Sequence, residues 1–270
     1  MNRTFLALSF LATLSFVSPA TSDPSHYTTL PNQEASLAIP QMTDVPIIPS
    51  FQEFLEEVYD DADLKQAGLD FNVFQRAATG YYNLKEQKKL NRSKDILTIV
   101  DFGKSSREKR FWVVDMKKNK VLYKSLVAHG QGSGNDMAVN FSNTVDSHMS
   151  SVGFYVTDEP YYGKHGLSLK LDGLDKGFNS NARGRAIVVH GADYVSDAFV
   201  KKHGRLGRSH GCPALPQDIS AEVINLIKDG TCLYIDSPKA NLQSAYLNPT
   251  KAIKTFESEI IAQQKVLLGK

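Results

Sequence analysis

One cysteine of this chain lies in a turn whose composition favours a reactive thiol. The stretch GRSHGCPAL covers residues 207–215, so Cys212 follows two basic residues, Arg205 and Arg208, and comes two positions after His210. Glycine before the cysteine and proline after it predict a loop, and neighbouring cations lower the pKa of a thiol. Because the thiolate is the nucleophilic form, we take Cys212 as a candidate nucleophile for acyl transfer through a thioester.

The chain contains only one other cysteine, and its surroundings differ. Cys232 lies in the apolar, β-branched stretch TCLYID, which predicts a buried strand where a cysteine acts as a small hydrophobic residue. A Cys212–Cys232 disulfide is the alternative, since exported proteins mature in an oxidising compartment. The two different environments favour two free thiols.

The thiol needs a base, and two histidines are candidates. His210 is so close to Cys212 along the chain that their side chains diverge in an extended turn. His190 ends the apolar stretch AIVV, and the end of a strand holds a base rigidly. We therefore predict that His190 is the general base, with its second ring nitrogen held by a backbone carbonyl. A strand-end histidine that only packs is the alternative.

Two further features of this region bear on its chemistry. The glycine-rich turn around Cys212 offers backbone N–H groups that would stabilise an oxyanion. A metal site formed by His203, His210, Cys212 and His190 is an alternative, but the spacing His-x6-His-x-Cys matches no common zinc pattern. We therefore predict no metal.

Short β-rich stretches separated by turn signals must position these residues. They cover residues 96–103, 110–116, 120–130, 151–159, 167–173, 186–192 and 231–236, and only 197–202 and 218–228 have helical character among them. This pattern predicts a mainly β domain over residues 94–237, a β-sandwich or barrel-like fold with one or two helices.

The flanking segments have different compositions. Ser50 and Glu53 form a capping box, and apolar residues at helical spacing follow as far as Lys89, so a short helical segment is predicted over residues 50–93. Residues 238–270 are predicted to be a C-terminal helical extension with an amphipathic helix over 250–268. Residues 21–49 are rich in proline, serine and threonine and are predicted to be an extended linker or strap.

The first twenty residues and the overall charge limit the classes of function. Arg3 followed by an apolar core predicts a signal peptide over residues 1–20, with an uncleaved anchor as the alternative. No later stretch approaches the ~20 apolar residues that a membrane span needs. The net charge is only +2, and no nucleic-acid-binding motif is present, so we predict an exported, soluble protein with no nucleic-acid partner.

The stretch 188–215 resembles the catalytic signature of the L,D-transpeptidases, the YkuD-like family. That signature is a histidine followed, after a spacer, by Ser/Thr-His-Gly-Cys, and here 18 residues separate His190 from Ser209, His210, Gly211 and Cys212. Residues 127–135, 141–143, 150–179 and 185–196 also resemble the murein branch, in which Cys-Pro-Ala is found. The resemblance covers about residues 95–236.

The resemblance implies chemistry on peptidoglycan stem peptides without a cofactor. Cys212 would attack the carbonyl of the third stem residue and release the terminal D-Ala, with His190 as the base and an amine as the acceptor. The resemblance implies a substrate or oxyanion role for Ser209, His210 and Gly211, and we predict such a role for Gly191 and Arg208 as well. Water as the acceptor, in an L,D-carboxypeptidase or related cysteine amidase, is one alternative. An inactive wall-binding protein is another. The location implied is the periplasm.

One departure from the family pattern follows the cysteine. Many relatives carry arginine or asparagine there, whereas this chain has Pro213 and Ala214. Because arginine suits carboxylates, we expect Arg205 or Arg208 to bind a carboxylate of the substrate, with a surface arginine as the alternative. The stretch with Tyr161, Tyr162 and His165 is predicted either to form a flap or wall of the cleft or to pack internally.

Overall fold

The structure is a computed structural model that describes residues 49–267, with side chains as far as residue 262. The helices are α1 (Phe51–Asp61), α2 (Phe71–Glu86), α3 (Asp197–His203), α4 (Gln217–Ile227) and α5 (Pro249–Leu267). The strands are β1 (Ile96–Asp101), β2 (Phe111–Asp115), β3 (Lys120–Ser125), β4 (Gly153–Gly163), β5 (Gly166–Gly173), β6 (Val188–Ala192), β7 (Ala214–Pro216) and β8 (Cys232–Asp236). The predicted signal peptide, 1–20, and the linker or strap, 21–49, lie outside the described residues except for residue 49.

All of these strands belong to one sheet that nearly closes on itself. Their order is β3-β2-β1-β8-β4-β5-β6-β7. Just beyond β3, Ala128 exchanges two backbone hydrogen bonds of 2.9 and 3.3 Å with Ala214 of β7. The two edges of the sheet therefore meet, which leaves little unpaired edge. The prediction of a mainly β, barrel-like fold with one or two helices, here α3 and α4, is confirmed.

The strands β1, β2 and β8 are buried on both faces. Along β1, Ile96 and Val100 point into the barrel, whereas Leu97 and Ile99 point towards a layer of helices. Side chains alternate along a strand, so a strand that is covered on both faces shows a continuous apolar run in its sequence. Cys232 of β8 lies under the helical layer, fully buried.

The helical layer consists of α1, α2 and α5. The side chain of Ser50 and that of Glu53 form the predicted capping box at the start of α1. Gly80 of α2 lies directly on the ring of Phe154 in β4, which an added Cβ would overlap, so α2 can approach the sheet this closely only with glycine there. The helix predicted within residues 238–270 is α5, which packs on α2.

Phe256 of α5 offers a test of this layer. Its ring is 1 % exposed and lies 4.5 Å from the Phe54 ring and 5.6 Å from the Phe51 ring, between centroids. Phe256→Ala leaves a cavity, and we expect a loss of about 3 kcal/mol in the free energy of unfolding. Ile261→Ala is the control, because Ile261 is 40 % exposed. Urea denaturation measures both, and equal stability of the two variants would contradict the packing of α5.

Candidate active site

Strand pairing brings the cysteine turn against β6. His190 of β6 lies beside Ala214 of the parallel strand β7, and Cys212 precedes that strand by two residues. The N–H of Val188 donates to Cys212 Sγ at 3.5 Å, and the thiol donates to the Ala186 carbonyl at 3.7 Å. The thiol is thus held at the N-terminal end of the strand that carries the imidazole.

The turn that carries Cys212 is fixed by hydrogen bonds within it. The Ser209 hydroxyl donates to the Cys212 carbonyl at 2.7 Å and accepts from the Gly211 N–H at 3.0 Å. Gly211 has a φ of +122°, and a Cβ there would lie 2.6 Å from the Met149 carbonyl oxygen. Only glycine fits this position, so Ser209 and Gly211 together determine the shape of the turn.

A buried arginine supports the segment on which the turn rests. Arg110 is fully buried and donates to the Val127 carbonyl at 3.0 and 3.2 Å and to His129 Nδ1 at 2.7 Å. Burial and the charge of Arg110 lower the pKa of His129 to about 4, so this imidazole is a neutral acceptor. The His129 carbonyl in turn accepts the Ser209 N–H at 3.0 Å.

His190 is oriented as a base requires. Its Nδ1 lies 2.9 Å from the Gly191 carbonyl, and a carbonyl accepts only, so the proton is on Nδ1 and Nε2 carries the lone pair. Burial lowers the pKa of His190, against the opposing effect of that hydrogen bond. The imidazole is therefore neutral at neutral pH. Gly191 itself lies against α4, where an added Cβ would overlap the Ser220 hydroxyl, and it does not line the cleft.

The thiol of Cys212 differs from the expectation. Burial raises its pKa, while the Val188 N–H, Arg185 and Lys164 act in the opposite direction. The expected lowering of this pKa is therefore wrong in sign, because desolvation of the thiolate exceeds the effect of the cations. Among the hydrogen bonds of the described residues, none joins the thiol to His190. The resting pair is a thiol and a neutral imidazole.

Backbone donors for an oxyanion are present in the same turn. The N–H of Gly211 is used by Ser209. Those of His210 and Cys212 have no acceptor on another residue within the described part of the chain, and the Cys212 N–H is turned towards its own sulfur. Free N–H groups beside the nucleophile suit a tetrahedral oxyanion. The N–H groups of His210 and Cys212 are therefore better candidates than those of Gly211 or Gly191.

A cleft of about 480 Å³ opens over Cys212. Tyr161 and His165, at the tip of the β4–β5 hairpin, form one wall, and the His165 ring stacks on His190 with centroids 4.4 Å apart. On the other side, His210 stacks on His148 at 4.1 Å. Tyr162 is 84 % exposed and does not line the cleft. The predicted flap or wall thus involves Tyr161 and His165.

The arginines near the site have three different positions. Arg208 lines the cleft, and its Nη1 donates to the Gly134 carbonyl and to Asn135 Oδ1, both at 3.0 Å. Arg205 donates to the Leu206 carbonyl and does not line the cleft. Arg185 also lines the cleft, and the sequence reasoning missed it. The sequence did point to Arg185, because it begins the stretch 185–196 that resembles the murein branch of the family. It was passed over because a charged residue just before a strand is usually exposed to solvent.

The alternatives can be compared with this geometry. Cys212 and Cys232 are both free thiols. His203 lies at the end of α3 and does not line the cleft. Within residues 49–267, no three His, Cys, Asp or Glu side chains are grouped to hold a metal ion. In the same range, no helix is both long enough and apolar enough to cross a bilayer.

Comparisons with known proteins identify a family and several similar solved structures. The model of the L,D-transpeptidase catalytic domain family matches residues 65–235. Among solved structures, the chain is similar to an L,D-transpeptidase from Mycobacterium smegmatis, with 14% identity, coverage of 53% of this chain and 59% of that chain, and a TM-score of 0.34. It is also similar to the helical cell shape determining protein Pgp2 from Campylobacter jejuni, with 13% identity, coverage of 68% and 63%, and a TM-score of 0.37. The matches span about three fifths of those chains. No curated protein matches this chain.

The protonation state of His190 can be measured directly. Because burial lowers its pKa and the Gly191 carbonyl holds Nδ1–H, we expect the neutral Nδ1–H tautomer at neutral pH. ¹⁵N NMR of the imidazoles reports the tautomer, and His190→Gln identifies the signal by its loss. An Nε2–H tautomer, or protonation above the ordinary histidine pKa of about 6.5, would contradict the assigned orientation.

Proposed function

The chain belongs to the L,D-transpeptidase catalytic domain family, and we propose that it is a cysteine L,D-transpeptidase acting on peptidoglycan stem peptides. The observation that carries the proposal is the shared cleft. It combines the thiol of Cys212, a neutral His190 with an unprotonated Nε2, and free backbone N–H groups beside the nucleophile. These are the three components of acyl transfer through a thioester.

In the first half-reaction, the donor stem acylates the enzyme. As Cys212 Sγ attacks the carbonyl of the third stem residue, Nε2 of His190 takes the thiol proton. Because burial keeps the resting thiol protonated, this transfer accompanies attack rather than preceding it. The N–H groups of Cys212 and His210 stabilise the oxyanion. The C–N bond then breaks, His190 returns the proton to the leaving amine, D-Ala departs, and a thioester remains.

In the second half-reaction, an acceptor amine attacks the thioester. His190 removes a proton from the amine and passes it to the sulfur as the C–S bond breaks, which restores the neutral imidazole and the free thiol. Water as the acceptor gives an L,D-carboxypeptidase or amidase instead, which is the alternative. An inactive wall-binding protein is disfavoured, since both the thiol and the base are in place. We propose an exported, periplasmic enzyme, which the predicted signal peptide and the family support.

Acylation by a carbapenem tests the nucleophile. We expect the wild-type protein to gain the mass of one drug molecule and Cys212→Ala to gain none. Cys232→Ala is the matched control, because Cys232 is buried under the helical layer, and it keeps the adduct. Intact-mass spectrometry measures all three. Without an adduct on the wild type, or with an equal adduct on Cys212→Ala, Cys212 would not be the nucleophile.

The acceptor is determined by product analysis of a stem tetrapeptide. With an amine acceptor present, transpeptidation gives a cross-linked product and free D-Ala. Mass spectrometry of the products separates that outcome from hydrolysis. A tripeptide as the sole product, with or without the amine, would replace the transpeptidase by the carboxypeptidase.

The two arginines beside the turn provide a matched pair for substrate binding. Arg208 lines the cleft and Arg205 does not. If the Arg208 guanidinium binds a stem carboxylate, Arg208→Ala removes a charged hydrogen bond and raises KM about tenfold. Arg205→Ala leaves KM unchanged. Steady-state release of D-Ala measures both, and equal KM values for the wild type and Arg208→Ala would exclude this role.

A further inference from the structure

We propose that Arg185 is a positioning residue that fixes the loop 142–151 against the cysteine turn and supplies an uncompensated positive charge that stabilises the Cys212 thiolate. The inference rests on the proposed function, in which Cys212 is the nucleophile. Arg185 lies in the segment just before β6, outside the signature residues 209–212, and its side chain lines the cleft.

The hydrogen bonds of Arg185 show what it holds. Its Nη1 donates to the Ser142 carbonyl at 2.7 Å, and its Nη2 donates to the Met149 carbonyl at 2.5 Å and to the Ser147 hydroxyl at 3.2 Å. All of these acceptors lie in the loop 142–151. That loop also carries His148, which stacks on His210 of the cysteine turn. The planar guanidinium therefore joins two ends of one loop beside the nucleophile.

The same guanidinium packs on the turn itself. A Cβ added at Gly211 would lie 3.2 Å from Arg185 Nη2 and 2.6 Å from the Met149 carbonyl oxygen. Glycine at this position thus lets both the guanidinium and its acceptor approach the backbone immediately before Cys212. The contact places the positive charge of Arg185 beside the backbone of Gly211, the residue immediately before Cys212.

The charge of Arg185 is not neutralised by a neighbour. None of the ion pairs within residues 49–267 includes it. Arg183, two residues earlier, differs: its guanidinium binds the carboxylates of Asp158 and Asp172. Arg183 does not line the cleft and its charge is paired, whereas Arg185 lines the cleft and its charge is not.

Other charged and titratable groups also face the cleft. Lys164 and His165 lie in the β4–β5 hairpin, His190 lies in β6 and Tyr194 just after it. The remaining groups belong to the cysteine turn (Arg208 and His210) and to the loop 142–151 (Asp146 and His148). Of the side chains, Arg185 and Lys164 favour the thiolate of Cys212, in that order. Lys164 is exposed at the hairpin tip, so water screens it more than Arg185.

A charge at this place acts in both half-reactions. Negative charge develops near Sγ during attack and returns to sulfur when the C–S bond of the thioester breaks. A fixed guanidinium stabilises that charge without having to reorganise at the moment of reaction. Since burial disfavours the thiolate, the cation compensates for part of the cost of desolvation.

The test measures ionisation of the thiol without any substrate. In a Cys232→Ala background, the rate of alkylation of Cys212 by iodoacetamide is followed against pH by intact mass. For Arg185→Gln we expect alkylation about tenfold slower than in the parent near neutral pH. At alkaline pH we expect equal rates, because Cys212 is then ionised in both the variant and the parent. The matched control Arg183→Gln keeps the parent profile, because its charge is already paired.

Arg185→Lys separates charge from hydrogen bonding. It keeps the charge and loses the planar fork, so we expect alkylation near neutral pH within about twofold of the parent. An unchanged pH profile of alkylation in Arg185→Gln, or a tenfold slower alkylation in Arg185→Lys, would overturn the role of the charge. If Arg185→Gln does not fold, the Arg185→Lys variant alone still tests that role. Alkylation needs no transpeptidase activity, so the two failures are distinguishable. A missing carbapenem adduct tells against the proposed function, whereas an unchanged Arg185→Gln alkylation profile beside a normal adduct tells against this inference alone.

Discussion

The closure of the sheet between Ala128 and Ala214 is the constraint on which the site depends. Those two residues bond to each other from opposite edges, and each adjoins a part of the site. Ala214 follows Cys212 by two residues and pairs with His190. Ala128 immediately precedes His129, whose carbonyl accepts the N–H of Ser209. The candidate nucleophile, Cys212, and the candidate base, His190, therefore both lie beside the hydrogen bonds that close the sheet.

Burial and nearby positive charge have opposite effects on the pKa of the Cys212 thiol. Desolvation raises the pKa of the Cys212 thiol and lowers that of the His190 imidazole, so both groups favour their neutral forms. A neutral thiol resists oxidation better than a thiolate, and a neutral imidazole is ready to accept a proton. Arg185 and Lys164 reduce the cost of charging sulfur without removing it. This arrangement suits proton transfer during attack better than a permanent ion pair.

Many of the helices and strands could be predicted from the sequence, because the spacing of apolar residues along the chain reflects which side chains a helix or a strand buries. Apolar, β-branched runs located seven of the strands. His190, which the sequence placed at the end of a strand, lies instead in the middle of β6. The strand β7 was not predicted, since a strand of only three residues that follows Pro213 and ends in Pro216 shows no alternation of apolar and polar residues. The pKa direction of Cys212 and the position of Arg185 depend on burial and on contacts distant in sequence. The division at residue 94 stays a prediction, and the family match begins earlier, at residue 65.

The helical layer combines the two ends of the described chain. Phe51 and Phe54 of α1 pack against Phe256 of α5, and Tyr82 of α2 lies beside them. During synthesis, the aromatic residues of α1 and α2 emerge long before their partner does. A domain folds as a unit, so this apolar layer can be completed only after α5 has been translated. Until then the rings of α1 and α2 lack the cover that Phe256 provides.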